Sequence, residues 1–124
     1  MKNTHPLVSI VDDDESVRES LPDLVRELGF SARAFPSAEE FLESDSLATT
    51  RCLILDVAMP GMTGPGLQRE LQRRGLKIPV VFITAEKDDT VLPRLIALGA
   101  VDCLFKPFSD AALQGALIAA LGRS

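Results

Sequence analysis

The sequence has little of what metal and redox proteins use: one histidine, two cysteines, no tryptophan and no tyrosine among 124 residues. Zinc sites are built mainly from histidine and cysteine, so this shortage excludes most zinc chemistry. Cys52 and Cys103 form no C-x-x-C pair, and each lies inside a predicted strand. We therefore interpret both as buried apolar residues that form no disulfide with each other.

Long apolar runs and an excess of basic residues are also missing. No run approaches the roughly 20 residues of a membrane helix, and the start does not resemble a signal peptide. We expect a cytoplasmic protein with no membrane contact. Lys and Arg number 13 against 18 Asp and Glu, a net charge of −5. A nucleic-acid-binding domain normally has a basic face, so we expect no direct nucleic-acid binding.

The sequence does contain five alternations of strand-like and helix-like patterns. Short apolar runs predict strands near 7–11, 31–35, 52–56, 79–84 and 101–105. Amphipathic stretches predict helices near 15–28, 37–45, 64–74, 88–98 and 109–121. No long linker interrupts the pattern, so residues 1–124 are expected to form one domain. The predicted fold is α/β, a doubly wound sandwich around a parallel sheet.

Local signals place several helix ends. Ser37 with Glu40 three residues later forms a capping box, and Ser109 can cap the last helix. Gly29 follows the first helix and suits its C-terminal end. Pro93 interrupts the fourth predicted helix, and we favour a late start that places this proline in the first turn.

Carboxylates follow two of the predicted strands. Asp12 and Asp13 close the first strand, and Asp56 closes the third. In open α/β sheets ligands bind beyond the carboxyl ends of the strands, so these acids are expected to share a site. Carboxylates in contact repel by roughly 1–4 kcal/mol per pair, depending on the dielectric. A divalent cation, Mg²⁺ or Mn²⁺, would relieve that repulsion.

Two further polar side chains end the fourth and fifth predicted strands. Thr84 follows the fourth strand and Lys106 follows the fifth. Three acids, a hydroxyl and an ammonium group suit a hard cation together with a small anion such as a phosphoryl group. Asp56 stands alone on the central strand, so we interpret it as a nucleophile that forms an acyl phosphate. Asp12 and Asp13 are then metal anchors.

These residues carry a family resemblance. The chain resembles the receiver domain of bacterial two-component response regulators over nearly all of its length. The matching segments are 11–18, 55–64, 83–86 and 106–108, which contain the acids, Thr84, Glu86 and Lys106. The segment from Gly29 to Leu42 resembles the subclass whose receiver is followed by a helix-turn-helix output domain.

The resemblance implies a flavodoxin-like (βα)5 fold with strand order 2-1-3-4-5 and a role for each site residue. Asp56 would accept phosphate from a sensor histidine kinase, and Thr84 and Lys106 would bind the phosphoryl group. Asp13, Asp56 and the backbone carbonyl of Ala58 would ligate the metal, with Asp12 acting through water. The domain would catalyse its own phosphorylation and dephosphorylation without being a metabolic enzyme.

The resemblance also implies partners. The phosphorylated state would pass to an output domain or downstream protein, in transcriptional control. The signalling face would be the fourth helix, fifth strand and fifth helix, through which a homodimer is also expected. In the family, the residue three before the lysine is often an aromatic that couples to the threonine. Cys103 stands there, and a small side chain cannot swing as a ring does, so we predict a small conformational response.

One alternative stays open at this point, and two others are disfavoured. An unphosphorylated docking module with the same fold would account for Cys103 and for Ala58, where the family often has a longer polar side chain. An aspartyl phosphatase usually has a second acid two residues after the nucleophile, and Ala58 cannot supply one. A nucleotide-binding domain is disfavoured because no glycine-rich phosphate loop follows the first strand.

Overall fold

In the computed structural model, which describes residues 5–85 and 90–122, five strands form one parallel sheet. The strands are β1 (Leu7–Val11), β2 (Ser31–Phe35), β3 (Thr50–Asp56), β4 (Val80–Thr84) and β5 (Asp102–Phe105). The helices are α1 (Glu15–Glu27), α2 (Ala38–Leu42), α3 (Gly64–Arg73), α4 (Val91–Ala97) and α5 (Asp110–Leu121). The strand order is β2-β1-β3-β4-β5, so the predicted flavodoxin-like fold is confirmed.

Helices cover both faces of the sheet, which explains why β3 and β4 read as continuous apolar runs. On one face α1 and α5 pack against Ile10, Ile54 and Ile83. On the other face α2, α3 and α4 pack against Leu53, Leu55 and other residues of the sheet. Because both faces of the central strands are dry, polar side chains concentrate at the strand ends.

Side-chain caps begin four of the five helices, and the sequence predicts two of these caps, Ser37 and Ser109. The Asp14, Thr63 and Ser109 side chains accept hydrogen bonds from backbone N–H groups in the first turns of α1, α3 and α5. Ser37 accepts from the N–H of Glu40, so its half of the predicted capping box is confirmed. Gly29 follows α1 with φ of +103°, a conformation that L side chains rarely adopt.

The end of α2 and the start of β3 differ from the prediction by two residues or more. Helix α2 is shorter than 37–45, because the chain leaves it after Leu42 and forms a separate 3-10 turn at Asp45–Ala48. Strand β3 begins at Thr50, two residues earlier than predicted. The Thr50 hydroxyl bonds to the Ser46 carbonyl and to the Ser9 hydroxyl, each at 2.6 Å, so its polar group is satisfied inside the sheet.

The predicted late start of the fourth helix is confirmed, since α4 begins at Val91 and Pro93 lies in its first turn. Residues 86–89 lie outside the described residues. Cys52 and Cys103 are buried free thiols in core clusters on opposite faces of the sheet. Within residues 5–85 and 90–122, every helix is too short or too polar to cross a membrane.

Candidate functional site

The carboxyl ends of β1, β3, β4 and β5 surround a cavity of about 500 Å³. Six of the seven residues predicted to form the site line it: Asp12, Asp13, Asp56, Ala58, Thr84 and Lys106. Asp14 and Ala85 complete the lining. The seventh residue, Cys103, lies outside the lining, 4% exposed in the core beside Phe82.

Strand register brings these distant residues together. Val11 pairs with Leu55, so Asp12 and Asp56 follow on adjacent strands at the same level. Ile83 pairs with Asp56, which places Thr84 one residue beyond it. Thr84 in turn pairs with Phe105, and Lys106 comes next. Parallel strands in register therefore deliver the acids, the hydroxyl and the ammonium group to one edge of the sheet.

The three acids form a compact cluster. Oxygen atoms from the Asp12, Asp13 and Asp56 carboxylates all lie within 4.8 Å of one another. Asp12 is fully buried, Asp56 is 7% exposed, and Asp13 is exposed at the mouth of the cavity. Carboxylate oxygens at such separations are the ligands that Mg²⁺ prefers, so the donor set fits a hard divalent cation.

Asp12 is held by three contacts from different parts of the chain. Its Oδ2 lies 3.0 Å from the ammonium of Lys106, and its Oδ1 accepts a hydrogen bond from the Asp14 N–H at 2.9 Å. Its backbone carbonyl accepts from the Arg18 guanidinium at 3.1 Å. Because Asp12 is fully buried, the Lys106 charge compensates a carboxylate that water cannot reach.

Asp56 occupies an environment that favours its neutral form. Burial raises the pKa of its carboxyl, and the negative charges of Asp12 and Asp13 raise it further. Lys106 offsets part of the rise, and the resulting pKa is about 7. Asp56 is therefore a carboxyl that gains or loses a proton near neutral pH, as expected at a site built to receive positive charge.

The loop between β3 and α3 is tied to its surroundings at three points. The Val57 N–H donates to the Ile83 carbonyl and the Gly64 N–H donates to the Val57 carbonyl. The Glu39 carboxylate of α2 accepts from the Met62 N–H at 3.1 Å. A Cβ at Gly64 would overlap the Asp56 carbonyl oxygen, so only glycine permits this approach of α3 to β3. The loop that carries Ala58 is thus fixed from both ends.

Two residues at this site have no role in the sequence prediction. Arg18 lies in the matching segment 11–18, but its contact with the Asp12 carbonyl depends on the turn from β1 into α1. Glu39 reaches across 23 positions of sequence to the β3–α3 loop, and no local pattern signals such a contact. Glu86, which belongs to the matching segment 83–86, lies outside the described residues.

Comparison with known proteins gives consistent matches. Residues 8–118 match the family model of the response regulator receiver domain. The chain is 44% identical over 121 residues to nodulation protein W of Bradyrhizobium diazoefficiens and 40% identical over 117 residues to transcriptional regulatory protein FixJ of Azorhizobium caulinodans. A crystal structure named FixJ-N superposes with a TM-score of 0.86 at 34% identity, over 99% of this chain and 98% of that one.

The matches also differ in length from this chain. The match to nodulation protein W covers 98% of this chain but only 53% of that protein. The match to FixJ covers 94% of this chain but only 56% of that protein. The chain therefore spans about half the length of the curated relatives that it matches.

Proposed function

The chain belongs to the response regulator receiver domain family, and on that basis we propose that Asp56 is its phosphoacceptor. Receiver domains are phosphorylation-controlled signalling modules rather than metabolic enzymes. The observation that carries the assignment is the position of Asp56. It ends the central strand, 7% exposed, in a cavity shared with two other acids, a hydroxyl and an ammonium group.

The acidic cluster suits the magnesium ion that receiver domains bind. Asp12, Asp13 and Asp56 would hold it together with the Ala58 carbonyl, since the three carboxylates already lie within 4.8 Å of one another. The bound ion offsets the negative charge of the incoming phosphoryl group. Mn²⁺ prefers the same oxygen ligands and would substitute for it.

Phosphoryl transfer then needs an ionised Asp56. A carboxylate oxygen of Asp56 attacks phosphorus, the bond between phosphorus and the donor histidine nitrogen breaks, and the histidine leaves with that electron pair. The Lys106 ammonium and the Thr84 hydroxyl bind the oxygens of the transferred group. Attack of water on the acyl phosphate reverses the modification, and Ala58 beside it leaves space for that water.

Partners follow from the proposed chemistry and from the relatives. We propose that a sensor histidine kinase supplies the phosphoryl group in the cytoplasm, and that the whole protein acts in transcriptional control, as the name of FixJ states for that relative. We also propose that the domain signals through the face formed by α4, β5 and α5, and that it forms a homodimer through the same face. A docking module that works without phosphorylation is not favoured, because six of the seven predicted site residues line one cavity.

Intact mass measurement tests the phosphoacceptor. Treatment with acetyl phosphate and Mg²⁺ is expected to add about 80 Da to the wild-type chain, as one phosphoryl group does. Asp56→Asn should gain nothing, whereas Asp45→Asn, which replaces an exposed acid far from the cavity, should gain as much as the wild type. A wild type that stays unmodified with every donor, or an Asp56→Asn chain that is still modified, contradicts the proposal.

The residue at position 103 is expected to limit the conformational response. Cys103 is 4% exposed and pairs with Phe82, two positions before Thr84, so it offers no ring that could move when Thr84 moves. Beryllofluoride should therefore shift few backbone amide NMR signals of α4, β5 and α5. Cys103→Phe should enlarge these shifts and Cys103→Ala should not. A large response in the wild type that Cys103→Phe leaves unchanged would show that the coupling runs elsewhere.

A further inference from the structure

A second cavity lies at the end of the sheet opposite the acidic site. Its volume is about 500 Å³, and it opens between the C-terminal ends of α3 and α4, where Gly75 and Gly99 follow the helices. Most of its wall is apolar and includes Leu71, Leu76, Ile78, Val80 and Val101. A cavity of this size with apolar walls and few polar groups is typical of small-molecule sites.

One polar side chain in this wall occupies a position where an apolar residue is expected. The buried positions of α3 are Gly64, Leu67, Gln68 and Leu71, so Gln68 interrupts the apolar stripe of the helix. Gln68 is 5% exposed, and its amide makes no hydrogen bond within residues 5–85 and 90–122. Its polar atoms reach the cavity surface rather than being sealed in the core.

An amide at this position needs a hydrogen-bonding partner that comes through the cavity, whereas a leucine would need none. The amide therefore points to a hydrogen-bonding partner that enters the cavity. A second amide, Gln72, lines the same wall and donates through Nε2 to the Leu98 carbonyl at 3.2 Å. Both amides lie close to Gly99. A Cβ atom at that residue would be 3.8 Å from Gln68 Nε2 and 3.4 Å from Gln72 Nε2, so the two amides flank the same point of the wall.

The lining of the cavity has little net charge. Lys77 is its charged residue among those that the structure describes, and it is exposed, so solvent screens its ammonium. The carbonyl groups of Leu71 and Leu95, near the ends of α3 and α4, already accept backbone hydrogen bonds. Such a lining favours a neutral occupant. Two primary amides present both N–H donors and C=O acceptors, and a carboxamide presents the complementary pair.

We propose that this cavity binds a small neutral molecule that carries a carboxamide or lactam group on an apolar body. The amide group bonds to Gln68 and Gln72, and the apolar body covers Leu71, Leu76 and Ile78. The site is independent of phosphorylation, since it lies at the opposite end of β4 from Thr84. Benzamide has the required head group and a ring that fits the volume, so it is a suitable probe.

Titration of the ¹⁵N-labelled full chain with benzamide tests the proposal. Saturable shifts are expected at the backbone amides of Gly75 and Gly99 and at the side-chain NH₂ signals of Gln68. Gln68→Leu, which keeps the volume and removes the hydrogen bonds, should weaken binding at least tenfold. Benzoate and toluene, which share the ring but not the neutral amide, should bind at least fivefold more weakly than benzamide. Asp56→Asn should bind benzamide as the wild type does.

Several results would overturn the proposal. Shifts that fail to saturate, or that are equally large in a folded Gln68→Leu chain, mean that water alone solvates Gln68. Binding of benzoate or toluene as tight as that of benzamide removes the assigned ligand class. Gln68→Asn, which keeps the amide but shortens its reach, should bind with intermediate affinity and guards against misfolding of the leucine variant.

Discussion

Replacing Lys106 with methionine is expected to lower the free energy of unfolding by about 3 kcal/mol. The Lys106 ammonium lies 3.0 Å from an Asp12 carboxylate that is 0% exposed. Methionine keeps an apolar stem of similar length and removes the charge, which leaves Asp12 buried without compensation. Removing one partner of a buried pair costs about 3–5 kcal/mol. We expect the lower end of this energy range, because the Lys106 side chain is still 24% exposed.

Urea denaturation at pH 7.5 without divalent cation measures this effect. Asp12→Asn added to Lys106→Met should recover most of the loss, because the double variant no longer buries an unpaired charge. Lys77→Met serves as the matched control. Because Lys77 is exposed and lies far from the acids, this substitution should change the free energy of unfolding by no more than about 0.5 kcal/mol. If Lys106→Met is as stable as the wild type, the ion pair contributes nothing to the fold.

Asp56→Asn is expected to stabilise the chain by about 2–4 kcal/mol at pH 8 and by only about 1–1.5 kcal/mol at pH 5, in the absence of divalent cation. The pKa of Asp56 is about 7 in the folded chain and about 3.9 when the chain is unfolded. Between these values the folded state keeps a proton that the unfolded state has lost, so stability falls as the pH rises. Above pH 7 the full cost of the ionised carboxyl is present, and asparagine avoids it.

Unfolding curves at pH 5, 6, 7 and 8 for both chains test this pH dependence. The gain from Asp56→Asn should grow by up to about 1.4 kcal/mol per pH unit and level off above pH 7. Millimolar Mg²⁺ should stabilise the wild type at pH 8 more than the variant, since a ligand of the folded state raises its stability. Asp45→Asn should show no such trend. A gain that is constant from pH 5 to pH 8 would contradict the raised pKa.

Both predictions concern the same compromise. The site places one oxygen from each of three acids within 4.8 Å of one another, and Lys106 pairs with Asp12 and offsets part of the rise in the pKa of Asp56. Burial and the remaining repulsion keep the proton on Asp56 to a higher pH. The chain therefore gives up stability at neutral pH for a site that is ready to receive a cation and a phosphoryl group.

Most of the fold could be predicted from local signals. Apolar runs such as 52–56 identify buried strands, because only a sheet covered on both faces tolerates them. Ser37, Ser109 and Gly29 mark helix ends, because caps involve neighbours in sequence. The predicted end of α2 was wrong, since the chain leaves the helix after Leu42 and forms a separate turn, where the Ser46 carbonyl accepts from the Thr50 hydroxyl, which also bonds to Ser9 of β1.

The candidate site could likewise be predicted only in part. Asp12, Asp13, Asp56, Thr84 and Lys106 were identifiable because each ends a strand, and parallel strands end at one edge. The sequence by itself thus determined the fold class and the chemistry gathered at that edge. Only the tertiary structure decided that Lys106 pairs with Asp12 across 94 positions, that Glu39 holds the β3–α3 loop, and that Gln68 faces a second cavity. Such contacts depend on how separate elements pack, and no local pattern encodes that geometry.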